Sequence, residues 1–257
     1  MLQRLADLLI LRPSRRPIMV EGKSRRLVPG ACGSLELWSE KQGEGPPDVV
    51  VLKFPGAAGR AERATVHPAE CWPDLTVEVL SVNLHGYGGS DPPASVRSLP
   101  AAAEAAWRHA VEQAAGRPII LVGNSLGVVS ALYLAARFPC AGLVLRNGPP
   151  LHELIVGRFG WWNFNLGARM IARQVPGELA SAANASLSTA PAVFLLSGQD
   201  RIVPPRFQQP VIDAYAGEKR VVTFAQADHV DAGDAAEMAS YKAALQWLRA
   251  AILPTSP

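Results

Sequence analysis

Ile119-Ile120-Leu121-Val122-Gly123-Asn124-Ser125-Leu126-Gly127 is the stretch whose reading decides the fold. Four apolar, mainly β-branched residues ending at a glycine read as a strand buried on both faces. The residues that follow, Leu126–Phe138, carry a helical pattern. The join between them is Gly-x-Ser-x-Gly. Small residues two before and two after the serine let the chain turn sharply from strand to helix without a clash. Such a turn lifts the Ser125 hydroxyl above the sheet edge. It also aims the free N–H groups of a helix N-terminus at the same spot, where they stabilise negative charge.

Outward from this turn the same rhythm repeats. Val49-Val50-Val51-Leu52, Val77–Val82, Leu143–Leu145, Val193–Leu196 and Val221–Phe224 are further solid apolar runs. Ser34–Trp38 alternates and reads as a strand exposed on one face. Helical patterns over Pro100–Ala115, Arg206–Tyr215 and Ala235–Leu253 lie between the runs. Alternating strands and helices predict an α/β fold: a mostly parallel central sheet with helices on both faces. One interval breaks the rhythm. About forty residues separate the strand ending near Arg146 from the one starting near Ala192, far more than a plain connection needs. The residues from about 150 to 190 therefore read as an inserted helical lid, with an aromatic patch packed on the core as the plainer reading. The patch comprises Phe159, Trp161, Trp162 and Phe164, followed by a helix-like Leu166–Gln174.

Composition narrows the class. The chain has 257 residues, 49% hydrophobic and 18% charged, which excludes a disordered, collagen-like or coiled-coil protein. A net charge of +3 gives no case for nucleic-acid binding. The charge is uneven: Arg4, Arg12, Arg15, Arg16, Lys23, Arg25 and Arg26 face only Asp7 and Glu21 over the first 26 residues. Residues 1–30 read as a solvated basic arm ahead of a single domain over 31–257. The alternative is weak contact with a membrane surface, since Leu2, Leu5, Leu8, Leu9 and Ile10 cluster between the charges. No apolar run approaches the ~20 residues of a spanning helix, and none resembles a secretory signal. Cys32, Cys71 and Cys140 are widely spaced and odd in number, so a disulfide framework is not expected and a cytoplasmic setting is. No paired Cys/His spacing suggests a metal, and no cofactor fingerprint is present.

In open parallel sheets, ligands bind beyond the carboxyl ends of the strands. A serine nucleophile there needs a base, usually a histidine held by a carboxylate. Of His67, His85, His109, His152 and His229, only His229 follows the last strand on a loop over that edge. Asp200 follows Ser197-Gly198-Gln199 at the end of the preceding strand and is the candidate acid, with Asp228, Asp231 and Glu153 as rivals. Two backbone N–H groups are candidates for the oxyanion hole. Leu126 supplies one directly after the nucleophile. Ala57 supplies the other, in the loop Phe54-Pro55-Gly56-Ala57-Ala58-Gly59. His152, at the start of the insertion, is a candidate pocket residue with the aromatic patch.

With these motifs in order, the chain resembles the α/β-hydrolase superfamily. Within it, it is similar to the serine-aminopeptidase and prolyl-oligopeptidase-like branch of small serine hydrolases, over residues 48–250. Where that branch often reads H-G-N-A-G-N, this chain has Pro55-Gly56-Ala57-Ala58-Gly59-Arg60. Where it reads D-Y-R-G-Y-G-x-S, this chain has Asn83-Leu84-His85-Gly86-Tyr87-Gly88-Gly89-Ser90. The resemblance implies the α/β-hydrolase fold, Ser125 as nucleophile, Asp200 as acid, His229 as base, and backbone donors at Ala57 and Leu126. The departures are Pro55 for histidine, Ala57 and Arg60 for asparagines, and Val128 where glycine is frequent. Asn83 and His85 replace an aspartate and an arginine, so an ion pair common in the branch is expected to be absent.

The expected activity is serine hydrolysis of a carboxylic ester or thioester of a small or medium apolar acyl group, through an acyl-enzyme on Ser125. The apolar preference rests on the aromatic patch. Two alternatives remain: a peptidase or amidase on short peptides, and a non-hydrolytic or ligand-binding protein on the same fold.

Overall fold

A computed structural model describes residues 2–159 and 166–253. Its strands are β1 (Ser24–Gly30), β2 (Gly33–Gln42), β3 (Val49–Phe54), β4 (Val77–Asn83), β5 (Ile119–Asn124), β6 (Gly142–Arg146), β7 (Ala192–Ser197) and β8 (Lys219–Phe224). They form one eight-stranded sheet in the order β1-β2-β4-β3-β5-β6-β7-β8. β1 and β2 pair antiparallel, as do β2 and β4; every other pairing is parallel. All carboxyl ends from β3 to β8 therefore share one edge.

The helices are α1 (Leu2–Leu11), α2 (Leu99–Ala114), α3 (Leu126–Ala135), α4 (Leu151–Phe159), α5 (Leu166–Ala172), α6 (Ser181–Leu187), α7 (Pro205–Ala214) and α8 (Ala235–Ile252). Strand alternation sorts the core into two faces. Val50, Leu52, Leu121, Leu143 and Phe194 pack with α2, α3 and α7. Val49, Val51, Ile120, Val122, Val144 and Leu195 pack with Trp72 and with Tyr241, Leu245 and Leu248 of α8. α3 is apolar all round and buried from Leu126 to Leu134, as expected of a helix enclosed by the fold. α8 opens with a capping box, in which Asp234 accepts from the Glu237 N–H and Glu237 accepts from the Asp234 N–H.

Two expectations change here. The first 30 residues are part of the folded domain, not a solvated arm. β1 is the edge strand of the sheet, and α1 buries Ala6 and Leu11 completely. Asp7 is buried beneath α1, where its carboxylate accepts from the Val96 N–H at 2.8 Å and from Gln3 Nε2 at 2.8 Å. Leu11 O accepts from the Tyr87 hydroxyl and the Ala58 N–H. The cationic side chains follow the same pattern: Arg60 Nη1 donates to Ser14 O and Arg16 O, and Arg15 Nη1 to Ser90 O. Apolar burial and these backbone acceptors hold the segment down despite its charge. The second change concerns the insertion. Its last helix, α6, lies between α3 and α7 as an ordinary crossover helix, and Asn184 Oδ1 accepts from Arg137 Nη1 at 3.0 Å. The extra structure is thus α4 and α5, with α5 against α1.

Candidate active site

Ser125 stands between β5 and α3 with φ +50° and ψ −117°, a backbone conformation that side chains rarely adopt and that a tight turn must impose. The flanking glycines make the turn feasible. A Cβ on Gly127 would lie 2.0 Å from Phe54 O, and one on Gly123 would lie 2.6 Å from the Val128 Cα. The turn is pinned by the Ser125 N–H donating to Arg146 O and the Val128 N–H donating to Ser125 O. Leu126 is the first residue of α3, so its N–H has no acceptor within the helix.

The candidate acid and base meet from separate elements. The chain leaves β7 through Gly198 and brings Asp200 to a buried position. There the Ile202 and Val203 N–H groups donate to Oδ1 at 2.8 and 2.7 Å, and Gln208 Nε2 donates to Oδ2 at 3.3 Å. His229 comes from the loop after β8, and its Nδ1 lies 2.7 Å from Asp200 Oδ2. This contact occupies Nδ1 of the ring, and Nε2 is the nitrogen that Asp200 does not engage. The rival acids are used elsewhere. Asp228 accepts from the backbone N–H groups of Arg201 and His229, and these bonds hold its carboxyl below the usual range. Asp231 accepts from the Asp228 N–H. Glu153 is exposed on α4.

Ser125, His229 and Ala57 line one cleft of about 400 Å³ above the sheet edge, together with Arg12, Gly56, Gly59, Asn124, Arg146, Asn147, Ile202 and Val230. The N–H groups of Ala58 and Gly59 donate to Leu11 O and Gly56 O. His152 is exposed and does not line this cleft: the first turn of α4 presents it to solvent. Phe159 ends α4, but its side chain falls outside the description, and Trp161, Trp162 and Phe164 lie outside the described residues.

Several cleft residues were not singled out by sequence reasoning. Asn147 follows β6 at φ +52°, which asparagine tolerates. It is buried, accepts from the Ser197 N–H and donates to Ser197 Oγ and to His229 O. An asparagine directly after a buried strand, before Gly148-Pro149-Pro150, was the available signal. Arg146 ends β6 with its Nη2 donating to Asp231 O at 2.6 Å. Burial pulls its pKa down. Neither this position nor Arg12 carries a motif.

Asn83 sits in a buried polar cluster in place of the ion pair expected to be absent. It donates to Glu36 Oε2 and Glu62 Oε2 and accepts from the Ala61 N–H. A different buried pair, Arg60–Glu62, adjoins it. Arg60 thereby ties the cleft loop to the N-terminal segment. His85 is buried near Asp91 O, and burial lowers its pKa. No cluster of metal-ligating side chains occurs among the described residues.

Comparison with known proteins bears on the family and the fold. The model of the Alpha/beta hydrolase family matches residues 27–240. An uncharacterized protein of Mycobacterium tuberculosis is 29% identical over 223 residues, 85% of this chain and 74% of that protein. The acetyl xylan esterase of Paenibacillus sp. R4 superposes with a TM-score of 0.65 at 15% identity, over 97% of this chain and 92% of the esterase. The acylaminoacyl peptidase of Pyrococcus horikoshii superposes with a TM-score of 0.64 at 15% identity, over 93% of this chain and 44% of the peptidase. At these identities the two solved structures speak for the fold alone.

Proposed function

The chain belongs to the alpha/beta hydrolase family, and from that premise we propose that it is a serine hydrolase cleaving a carboxylic ester or thioester with a small or medium acyl group. The observation that carries this reading is the 2.7 Å contact between His229 Nδ1 and Asp200 Oδ2, made by a histidine that shares its cleft with Ser125.

In the proposed reaction, His229 Nε2 takes the hydroxyl proton of Ser125 as Oγ bonds to the acyl carbon. The oxyanion is held by the N–H groups of Leu126 and Ala57, each worth roughly 3–4 kcal/mol in comparable sites. The tetrahedral intermediate collapses with cleavage of the C–O or C–S bond, and His229 gives its proton to the leaving group. Water, deprotonated by His229, then attacks the acyl-enzyme and frees the acid and Ser125. Asp200 keeps the imidazole in its working tautomer throughout.

Ile202 and Val230 offer the apolar contacts of the described lining, and α4 and α5 are assigned the role of a lid. No carboxylate lines the cleft among the described residues, so nothing there captures a free peptide amine. That favours an ester over a short peptide. The three cysteines are unpaired, which fits the reducing, cytoplasmic setting expected from the sequence.

The test is labelling by a fluorophosphonate probe, wild type beside Ser125→Ala, with turnover of short and long p-nitrophenyl esters in parallel. Labelling and turnover that vanish in the variant support the reading. A well-folded wild type that neither labels nor hydrolyses any ester overturns it in favour of a ligand-binding protein.

A further inference from the structure

Beside the cleft lies a second open pocket, of about 280 Å³. The two hollows share Asn124 and Arg146 as lining. Strand register explains why. Lys53 of β3 stands opposite Val122 of β5, and Asn124 of β5 stands opposite Arg146 of β6, so all four occupy the α8 side of the sheet at its carboxyl edge. His67, Glu70 and Tyr241 close the far side.

The charge of this interior is unusual. Lys53 is 6% exposed, yet two of its N–H groups are spent on the backbone carbonyls of Thr65 and His67, not on a carboxylate. Arg146 donates through Nη2 to a backbone carbonyl, and its buried Nε has no partner. His67, held between Tyr241 and Glu70, has its pKa pushed down by burial. The carboxylate of the group, Glu70, has a side chain 56% exposed and turned to water at the outer end. Lys53, buried, and Arg146, partly buried with Asp200 and Asp231 in its field, thus face a hollow of mixed polar and apolar lining with donor capacity unspent. Desolvated cations cost free energy unless an anion accompanies them.

We propose that Arg146 and Lys53 form a subsite for an anionic group of the substrate, so that the preferred ester carries a carboxylate at the far end of its acyl chain. This rests on the ester-hydrolase reading for what the substrate is. The anion is assigned to the acyl side because Arg146 lines the Ser125 cleft from the strand end, while Ile202 and Val230, which line it with His229, are exposed. The acyl group is the part retained through both half-reactions and is the part that can reach inward.

The test is calorimetric titration of the full-length Ser125→Ala protein with two ligands of the same shape: monoethyl adipate, which is anionic, and ethyl adipamate, its neutral amide. The expected result is binding of the anion about tenfold tighter or more, the range of one charge-assisted contact. Adding Arg146→Gln or Lys53→Met should bring the two affinities together, with thermal melts confirming that each variant folds. Equal affinities in Ser125→Ala mean a water-filled hollow only and overturn the proposal, as does a preference that survives both added substitutions. Fluorophosphonate labelling of the wild type separates the two failures. An unlabelled protein that still selects the anion loses the hydrolase reading and keeps the subsite; a labelled one without selection does the reverse.

Discussion

Asn147 Nδ2 donates to the backbone carbonyl of His229 at 2.8 Å. His229 therefore does not hang freely on the loop after β8. It is moored to the end of β6 by a residue that also takes the Ser197 N–H at the end of β7, three residues before Asp200. One buried amide thus ties down the positions from which both His229 and Asp200 depart, and under the proposed reaction it is a positioning residue for them. Asn147→Gly keeps the backbone angle and removes the side chain, leaving the buried Ser197 N–H unpaired. The expected loss of stability is about 1–3 kcal/mol, read by urea unfolding. kcat should fall more than KM rises, because the loop holding His229 loosens. Unchanged kcat in the folded variant would show that the loop is held by other contacts.

Asp200→Asn should leave the fold intact and lower kcat by about 10³–10⁴-fold, since the amide favours the wrong imidazole tautomer. Ester turnover by Asp200→Asn within tenfold of wild type would rule out this acid. Asp228→Asn, by contrast, should cost little, because that carboxylate faces backbone N–H groups.

Lys53 makes stability depend on pH in a definite direction. Burial lowers its pKa from 10.5 to about 8, so between pH 8 and 10.5 the unfolded chain binds more protons than the folded one. Stability from this group is therefore lowest below pH 8 and rises through that window. Against Lys53→Met, the wild type should gain up to about 3 kcal/mol between pH 7 and pH 10.5, measured as the difference between two urea series. A flat difference would mean that Lys53 keeps its ordinary affinity for the proton.

The Arg60–Glu62 pair is buried, with both side chains about 3% exposed. Arg60→Met alone strands the Glu62 charge and releases Ser14 O and Arg16 O, for an expected loss of about 3–5 kcal/mol. Replacing both, Arg60→Met with Glu62→Leu, should restore part of it. A double variant no better than the single one would place the whole effect in the N-terminal segment. Denaturant unfolding of the three proteins decides.

Leu5, Leu8 and Leu9 remain exposed on α1 beside the basic residues of the same segment. If this face contacts an anionic membrane surface, sedimentation with phosphatidylserine vesicles should carry the protein down at low salt. Replacing the three leucines by serine should abolish it. Equal recovery in the supernatant with and without vesicles removes the contact.

Much of this was legible in the chain itself, for reasons that can be named. β5 and its turn were readable because a β-branched run, two glycines and a serine can satisfy one another in few ways. β3, β4, β6 and β7 were readable because strands buried on both faces must be apolar throughout. Even the placement of Asp200 and His229 at one sheet edge was readable, since each follows a recognisable strand. The insertion was legible as an interruption, but α6 was not separable from it, because only packing distinguishes a crossover helix from an added one.

What the sequence alone determined was the alternation of strands and helices and the places of Ser125, Asp200 and His229 just after three of those strands, both carried by local patterns. The tertiary structure decided the rest. It folded the basic first 30 residues onto the domain, through carbonyls and buried faces that charge counting does not see. It brought Asn147 under His229, and it gathered Lys53, Asn124 and Arg146 at one end of the sheet. These residues are far apart in the chain or carry no motif, and only strand register puts them side by side. Local periodicity reports which face a residue occupies; which residues share that face across strands is fixed by pairing over distances the sequence does not encode locally.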